Sequence, residues 1–383
     1  MKDFIYADNA ATTRIADEVL EAMMPYFKDN YGNASSVYKF GRDNHQAIES
    51  ARKTIAHLIG ASPMEIFFTS CGSESDNWAL KGTMHRLAAE GKKHLITSKI
   101  EHHAILHSAE ALEREGFDVT YLPVDEYGRV SAQSVKDAIR EDTGLVSIMY
   151  ANNEVGTIQP VKEIGGICRE AGVLFHTDAV QAAGALHIDV NEQNIDMLSM
   201  SAHKFNGPKG AGVFYCRRGH FPDNFMDGGA QERGHRAGTE NVAYIIGMAK
   251  AFEMACAEMD AKAEKLAAMR DHIKEGLLKI HDSQLNGDPV NRLPGNLNVS
   301  FAKIDGQSML FDLDLEGVAA SSGSACASGS LDPSHVLLAM GLPYEMAHGS
   351  LRISLGRYNT VEEADRIIEA VTSVVAGLRG EKK

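Results

Sequence analysis

The sequence predicts an α/β protein: a large, mostly parallel sheet with helices on both faces, followed by a smaller α+β domain. Two observations carry this. Between residues 65 and 216, apolar strand-like runs alternate with helical stretches. That is the pattern of βαβ units, in which parallel strands are joined by crossover helices. From about Thr239 the alternation stops, and a long helical stretch leads into a few scattered strands.

Taken in order, the strand-like runs are EIFF (65–68), HLITS (94–98), VTYLPV (119–124), LVSIMY (145–150), VLFHT (173–177), IDMLSM (195–200) and GVFYC (212–216). Helical runs between them include HAILHSAEALERE (103–115), SAQSVKDAIRE (131–141) and VKEIGGICREA (161–171), in which apolar side chains recur at helical spacing. The stretch 240–280 reads as a helical connection between two domains, with a break inside it. Beyond it come strand NLNVSF (296–301), the small-residue stretch SSGSACASGS (321–330), a short helix near SHVLLAM (334–340), strand LRISL (351–355) and a last helix from Val361. No internal repeat is visible.

The composition narrows the function classes. With 44% hydrophobic and 23% charged residues, the chain of 383 is that of a soluble globular protein. Its 38 Lys+Arg against 52 Asp+Glu give a net charge of −14, which argues against general nucleic-acid binding. No run is long and apolar enough to span a bilayer, and MKDFIYADNA lacks the apolar core of a signal peptide. The cysteines, Cys71, Cys168, Cys216, Cys256 and Cys326, are odd in number and widely spaced, with no C-x-x-C. That pattern suggests neither a disulfide framework nor a zinc knuckle, and a reducing cytoplasm is the expected location.

Four features point to chemistry. Lys204, in SAHKFNGPKG (201–210), follows the buried run IDMLSM and His203. A lysine at the end of a buried strand is costly unless neutralised, and a Schiff base with an aldehyde cofactor removes its charge; the plain alternative is a strand-end lysine that snorkels to solvent. Asp178, in HTDAVQ (176–181), also ends a strand-like run, one strand before Lys204. A carboxylate there suits the ring nitrogen of pyridoxal phosphate, and equally suits a helix cap. In FFTSCGSESDNWALKG (67–82) a strand meets a small-residue turn and then a helix, so Gly72 and Ser73 are placed to hold a phosphate. This is neither a P-loop nor G-x-G-x-x-G, and alone it is an ordinary turn. Finally, Cys326 is surrounded only by Ser, Gly and Ala. Such a segment buries little and is expected to be mobile, which suits a travelling nucleophile better than a core thiol.

In this order the motifs closely resemble the pyridoxal-phosphate-dependent cysteine desulfurases of the NifS/IscS type, within the class V aminotransferases. The resemblance runs from YADNAATT (6–13) to SLRISLGRYNT (350–360), and the SSGSAC stretch is its specific part. It implies a fold-type-I, aminotransferase-like architecture, with a cofactor-binding domain over 14–258 and a small domain formed by 1–13 and 259–383, the latter carrying the cysteine loop at about 321–330. It implies conversion of L-cysteine to L-alanine, with sulfur carried as a persulfide on Cys326 to an acceptor such as an iron–sulfur scaffold protein, and contact of Cys326 with the cluster during transfer. It implies a cytoplasmic homodimer that binds neither nucleic acid nor membrane.

The resemblance also assigns residues. Lys204 binds pyridoxal 5'-phosphate and moves the substrate α-proton; Asp178 holds the ring nitrogen. His102 stacks over the ring and exchanges thiol protons. Gln181 and Asn153 contact the phenolate oxygen, Asn153 also meeting substrate. Ser73, Ser201, His203 and the backbone at Gly72 hold the phosphate, with Thr239 reaching in from the neighbouring subunit. Arg352 clamps the substrate carboxylate, a task that suits its planar fork.

Other readings stay open at this point. His103 and His107 lie one helical turn apart beside His102, but without the glutamate of a zincin motif, so no metal is expected. A selenocysteine lyase or another enzyme of the same cofactor and fold is the alternative activity; a non-catalytic relative is disfavoured by Lys204, Asp178, His102 and Cys326 occurring together. There are departures too. NASSVYKFGR (33–42) has Ala34 and Tyr38 where relatives have proline and histidine, Ala202 replaces a serine, and GLRGEKK (377–383) is shorter than the tail with which IscS-like relatives dock a scaffold. The physiological acceptor is not indicated.

Overall fold

The computed structural model describes residues 4–322 and 332–381. Cys326 and most of the SSGSAC stretch lie outside the described residues.

Twelve strands are present among the described residues. In chain order they are β1 (Ile5–Tyr6), β2 (Ile66–Thr69), β3 (His94–Ser98), β4 (Asp118–Leu122), β5 (Thr143–Ser147), β6 (Leu174–Asp178), β7 (Met197–Ser201), β8 (Gly212–Cys216), β9 (Ser283–Asn286), β10 (Asn296–Phe301), β11 (Val318–Ala319) and β12 (Ser350–Ser354). The seven from β2 to β8 form one sheet, in the order β2-β8-β7-β6-β5-β3-β4. All neighbours pair in parallel except β8, which runs antiparallel to both β2 and β7. A strand antiparallel to both its neighbours leaves β2 and β7 pointing the same way. The carboxyl ends of β2 to β7 therefore gather on one edge of the sheet, where ligands of such sheets bind.

The two-residue period of the strands divides the core. Phe68, Ile96, Val146, Leu198 and Tyr215 face one buried cluster, which also contains Val19, Ile55, Ile164 and Phe252 from helices Asp17–Lys28, Lys39–Leu58, Val161–Ala171 and Val242–Ala257. Their neighbours Phe67, Leu95, Leu145, Met197 and Phe214 face a second cluster with Trp78, Met84 and Leu112. Burial on both faces is why these strands read as continuous apolar runs.

The long helical stretch breaks at Glu258, between Val242–Ala257 and Met259–Leu277. Beyond it a three-stranded antiparallel sheet, β12-β10-β9, packs with helix Val361–Leu378 around a third cluster. Ile5 and Ala7 belong to that cluster, and β1 pairs in parallel with β11. The chain thus begins on the sheet-and-helix unit in which it ends. The predicted run at 145–150 is shorter as a strand, ending at Ser147, yet Ile148 and Tyr150 still donate to His176 and Asp178 of β6. Helices Asp17–Lys28, Lys39–Leu58 and Gly306–Leu315 and strand β9 are not among the elements expected from the sequence.

Candidate active site

A cavity of about 290 Å³ opens at the carboxyl edge of the large sheet. Ten of the twelve residues singled out above line it: Gly72, Ser73, His102, Asn153, Asp178, Gln181, Ser201, His203, Lys204 and Arg352. All but Arg352 are delivered by the end of a strand or by the segment that follows it. Asp178 and Ser201 are the last residues of β6 and β7, and Lys204 sits on a single 3-10 turn, Ala202–Lys204, directly after β7. Gly72 begins a helix after β2, and His102 caps the helix His103–Arg114 after β3. Arg352 comes from β12, in the other sheet. Thr239 is exposed and lies outside this cavity.

The Lys204 Nζ donates to the carbonyls of Ala10 and Ala11, at 2.5 and 2.9 Å. Thr13 fastens the same strand of chain to the His203 carbonyl through both its amide and its hydroxyl. Gln181 Nε2 donates to Ala10 as well. Ala10 and Ala11 therefore form a wall of the cavity, held in place by Thr13, a role not expected for YADNAATT from the sequence.

Asp178 is buried, and burial raises its pKa; the Val180 amide and the Lys204 cation pull the other way. Asp76, beneath it, is also raised, by burial and then by Asp178. Two such close carboxyls in a dry site resist ionising together unless a cation joins them. His102 is pushed down to about 4, chiefly by burial and then by Lys204 and its histidine neighbours. Its Nδ1 accepts from the Ala104 amide at 3.1 Å, so the neutral ring carries its proton on Nε2. His203 is likewise lowered to about 4, by burial and then by Lys204.

Arg352 is 2% exposed. Its Nη2 meets Asp8 Oδ1 at 2.8 Å, and its Nη1 reaches the Asn153 carbonyl at 3.2 Å. Its Nε is buried without a partner among the described residues. Asp8 and Asp76 are site acids that the sequence reading missed. Asp8 lies in YADNAATT, but its partner is 344 residues away, and no local pattern signals such a pair. The rings of His103 and His107 stack at 5.1 Å, and His103 approaches His335 at 4.9 Å. Among the described residues no group of three or more His, Cys, Asp or Glu is arranged to hold a metal.

The residues present fit pyridoxal 5'-phosphate. Lys204 supplies an amine and Asp178 a buried carboxyl on the adjacent strand. The Gly72 backbone forms a cradle that a Cβ would fill, since it would lie 2.5 Å from Val180 Cγ2. Ser73, Ser201 and His203 add polar groups around that helix start.

The comparisons with known proteins agree with this chemistry. The family model described as Aminotransferase class-V matches residues 5–367. The chain belongs to that family, whose members include pyridoxal-phosphate enzymes of this fold. Within it, the chain is 55% identical over 375 residues to a protein of Methanosarcina thermophila named Cysteine desulfurase IscS, covering 98% of this chain and 93% of that one. Among solved structures, a NifS-like protein matches with a TM-score of 0.92 at 39% identity, covering 98% of this chain and 100% of that one. A structure titled SspA in complex with cysteine matches with a TM-score of 0.82 at 39% identity, covering 93% and 100%. By these relatives the chain is placed among the cysteine desulfurases.

Proposed function

We propose that this protein converts L-cysteine to L-alanine and hands the sulfur, through Cys326, to an acceptor protein for iron–sulfur cluster assembly. The observation that carries the reading is the convergence of Lys204, Asp178, His102 and Arg352 on one cavity from four different strands or the turns after them. Bound pyridoxal phosphate supplies an electron sink for the substrate carbon. The protein's residues do the rest. Lys204 holds the cofactor and, once displaced by substrate, moves the α-proton. Asp178 balances the ring nitrogen's positive charge, which gives its buried carboxylate the cation it needs. Arg352 receives the substrate carboxylate, with its unpartnered Nε as the available donor. Gly72, Ser73, Ser201 and His203 hold the phosphate; Gln181 and Asn153 flank the ring.

Sulfur leaves when the Cys326 thiolate attacks it. An S–S bond forms, the C–S bond breaks, and its electron pair stays with carbon, which takes up a proton on the way to alanine. Thr239, exposed on the single chain, is assigned to the phosphate of a second copy, making the active unit a cytoplasmic homodimer. We assign residues 14–258 to the cofactor domain and 1–13 with 259–383 to the small domain.

The test is mass spectrometry after a pulse of cysteine. Extra sulfur is expected on Cys326 and absent in Cys326→Ala, which retains cofactor and cysteine binding. Of the other thiols, Cys168, Cys216 and Cys256 are all raised by burial, and only Cys71 lines the cavity. Extra sulfur on Cys71 instead would overturn the assignment.

A further inference from the structure

The residues on either side of the Cys326 segment are fastened to the active site itself. On the amino side, Ser321 exchanges backbone hydrogen bonds with Arg352, at 2.6 and 3.1 Å. On the carboxyl side, Ser334 caps helix His335–Ala339, its Oγ accepting from the amides of Val336 and Leu337 at 3.1 and 3.4 Å. A hydroxyl has two lone pairs and one proton. With both lone pairs engaged, Ser334 gives its proton to Glu154 Oε2 in a short hydrogen bond. Both side chains are buried, Ser334 at 3% and Glu154 at 5% exposure.

Glu154 is rigidly tied to the site. Its amide donates to Asn152 Oδ1 at 2.9 Å, and its carbonyl accepts from Asn298 at 3.2 Å. The preceding carbonyl, of Asn153, accepts from both Arg352 and Asn296. The neighbouring residue, His335, donates through Nε2 to the Glu101 carbonyl, one position before His102. Ser334 is thus joined through one residue to Asn153 and the substrate arginine, and through the next to His102.

We infer that the Glu154–Ser334 hydrogen bond is a positioning contact for sulfur transfer: it registers the carboxyl-side base of the Cys326 segment against Asn153 and Arg352, so that the chain re-enters the fold at a fixed point beside the substrate arginine. This rests on the proposed role of Cys326. Burial of a glutamate in a loop otherwise satisfied by amides is expensive, and a purely structural cap for Ser334 needs no carboxylate at all. Misplacement of a reacting group by about 1 Å costs on the order of 100-fold in rate, so loss of this contact is expected to slow the transfer step without weakening substrate binding.

The test uses the full-length holoenzyme with Ser334→Ala, Ser334→Gly, Ser334→Thr, Glu154→Ala and the Ser334→Ala/Glu154→Ala double variant. Glycine keeps a serviceable helix start but removes the link to Glu154; threonine restores the hydroxyl. Three quantities are read: the cysteine-induced change in cofactor absorbance, the single-turnover rate of sulfur appearance on Cys326, and amide hydrogen exchange at Val336 and Leu337 in the cofactor-free protein. The inference expects the absorbance change and KM for cysteine to stay within about twofold in every variant. It expects the sulfur-transfer rate to fall roughly 10- to 100-fold in Ser334→Ala, Ser334→Gly and Glu154→Ala, no further in the double variant, and to recover in Ser334→Thr. Exchange at Val336 and Leu337 should quicken in Glu154→Ala, although that variant leaves the cap hydroxyl in place. A wild-type transfer rate in Ser334→Gly and Glu154→Ala would overturn the inference, as would additive losses in the double variant. Alanine formation from cysteine at the wild-type rate in Cys326→Ala would instead sink the underlying reading of the nucleophile, whatever the anchor variants do.

Discussion

Removing the charge of Glu232 tests how the wall around the Gly72–Ser73 end of the site is held. Arg52 and Glu232 are 3% and 6% exposed and meet in a two-pronged pair at 2.7 and 2.9 Å. Glu232 Oε2 also accepts the Phe68 amide of β2, and Arg52 donates to the Ile66 carbonyl. The pair pins helix Lys39–Leu58 and strand β2 to the segment that continues through Arg236, whose guanidinium holds Glu74 beside Ser73 at 2.7 Å, to Thr239. It also over-determines a strained backbone, because Glu232 and Arg233 both have left-handed φ, 44° and 59°. Glu232→Gln leaves the guanidinium in a dry site and turns an amide N–H toward one of its donors. Breaking a buried pair costs about 3–5 kcal/mol; Glu49 remains as a partner at 2.9 Å, which places the loss near ~3 kcal/mol. At ~2.1 cal/mol/K per residue the unfolding entropy of such a chain is ~0.8 kcal/mol/K, so cooperative melting should drop by ~4 °C. Calorimetry at pH 7 measures it. Replacing both partners by apolar residues (Arg52→Met with Glu232→Leu) should recover part of the loss, but not all, since the Phe68 amide loses its acceptor. A Glu232→Gln melting point within 1 °C of wild type, or a double variant worse than either single one, would refute the account.

Lys204→Ala should abolish alanine formation and the borohydride-reducible link to the cofactor; alanine production at the wild-type rate would exclude Lys204 from the chemistry. Arg352→Lys should raise KM for cysteine by about 10-fold or more, because an ammonium cannot reproduce the fork that holds Asp8 and the Asn153 carbonyl while offering a further donor; steady-state kinetics reads it, and an unchanged KM contradicts it. Glu101 makes a pH prediction. Burial lifts its carboxyl to about 8 from an ordinary 4.5, against opposing bonds from Ser98 and Met149. The folded state therefore holds a proton that the unfolded chain has released between those values, and the stability this confers is full below pH 4.5 and lost as pH rises through about 8. Glu101→Gln should flatten the fall in stability across that window by up to ~1.4 kcal/mol per pH unit; identical denaturation slopes for variant and wild type would contradict it.

The sequence by itself determined the seven strands of the large sheet and where much of the cavity lining comes from, and the reason is local. Strands buried on both faces are written as unbroken apolar runs, so HLITS and GVFYC coincide with β3 and β8. Residues at the ends of parallel strands converge by the geometry of the sheet, so Asp178, Ser201 and Lys204 needed no further information to be brought together. What no single stretch encoded is pairing over long separations. The antiparallel direction of β8 depends on its hydrogen-bond partners and not on its own residues, which suit either direction. The wall of Ala10 and Ala11 over Lys204, the Asp8–Arg352 pair and the Glu154–Ser334 contact each join positions 180 or more apart. A buried charge in a sequence looks like any other Asp or Glu. Only when the tertiary fold removes the water around it does it acquire a partner, a shifted pKa and a function.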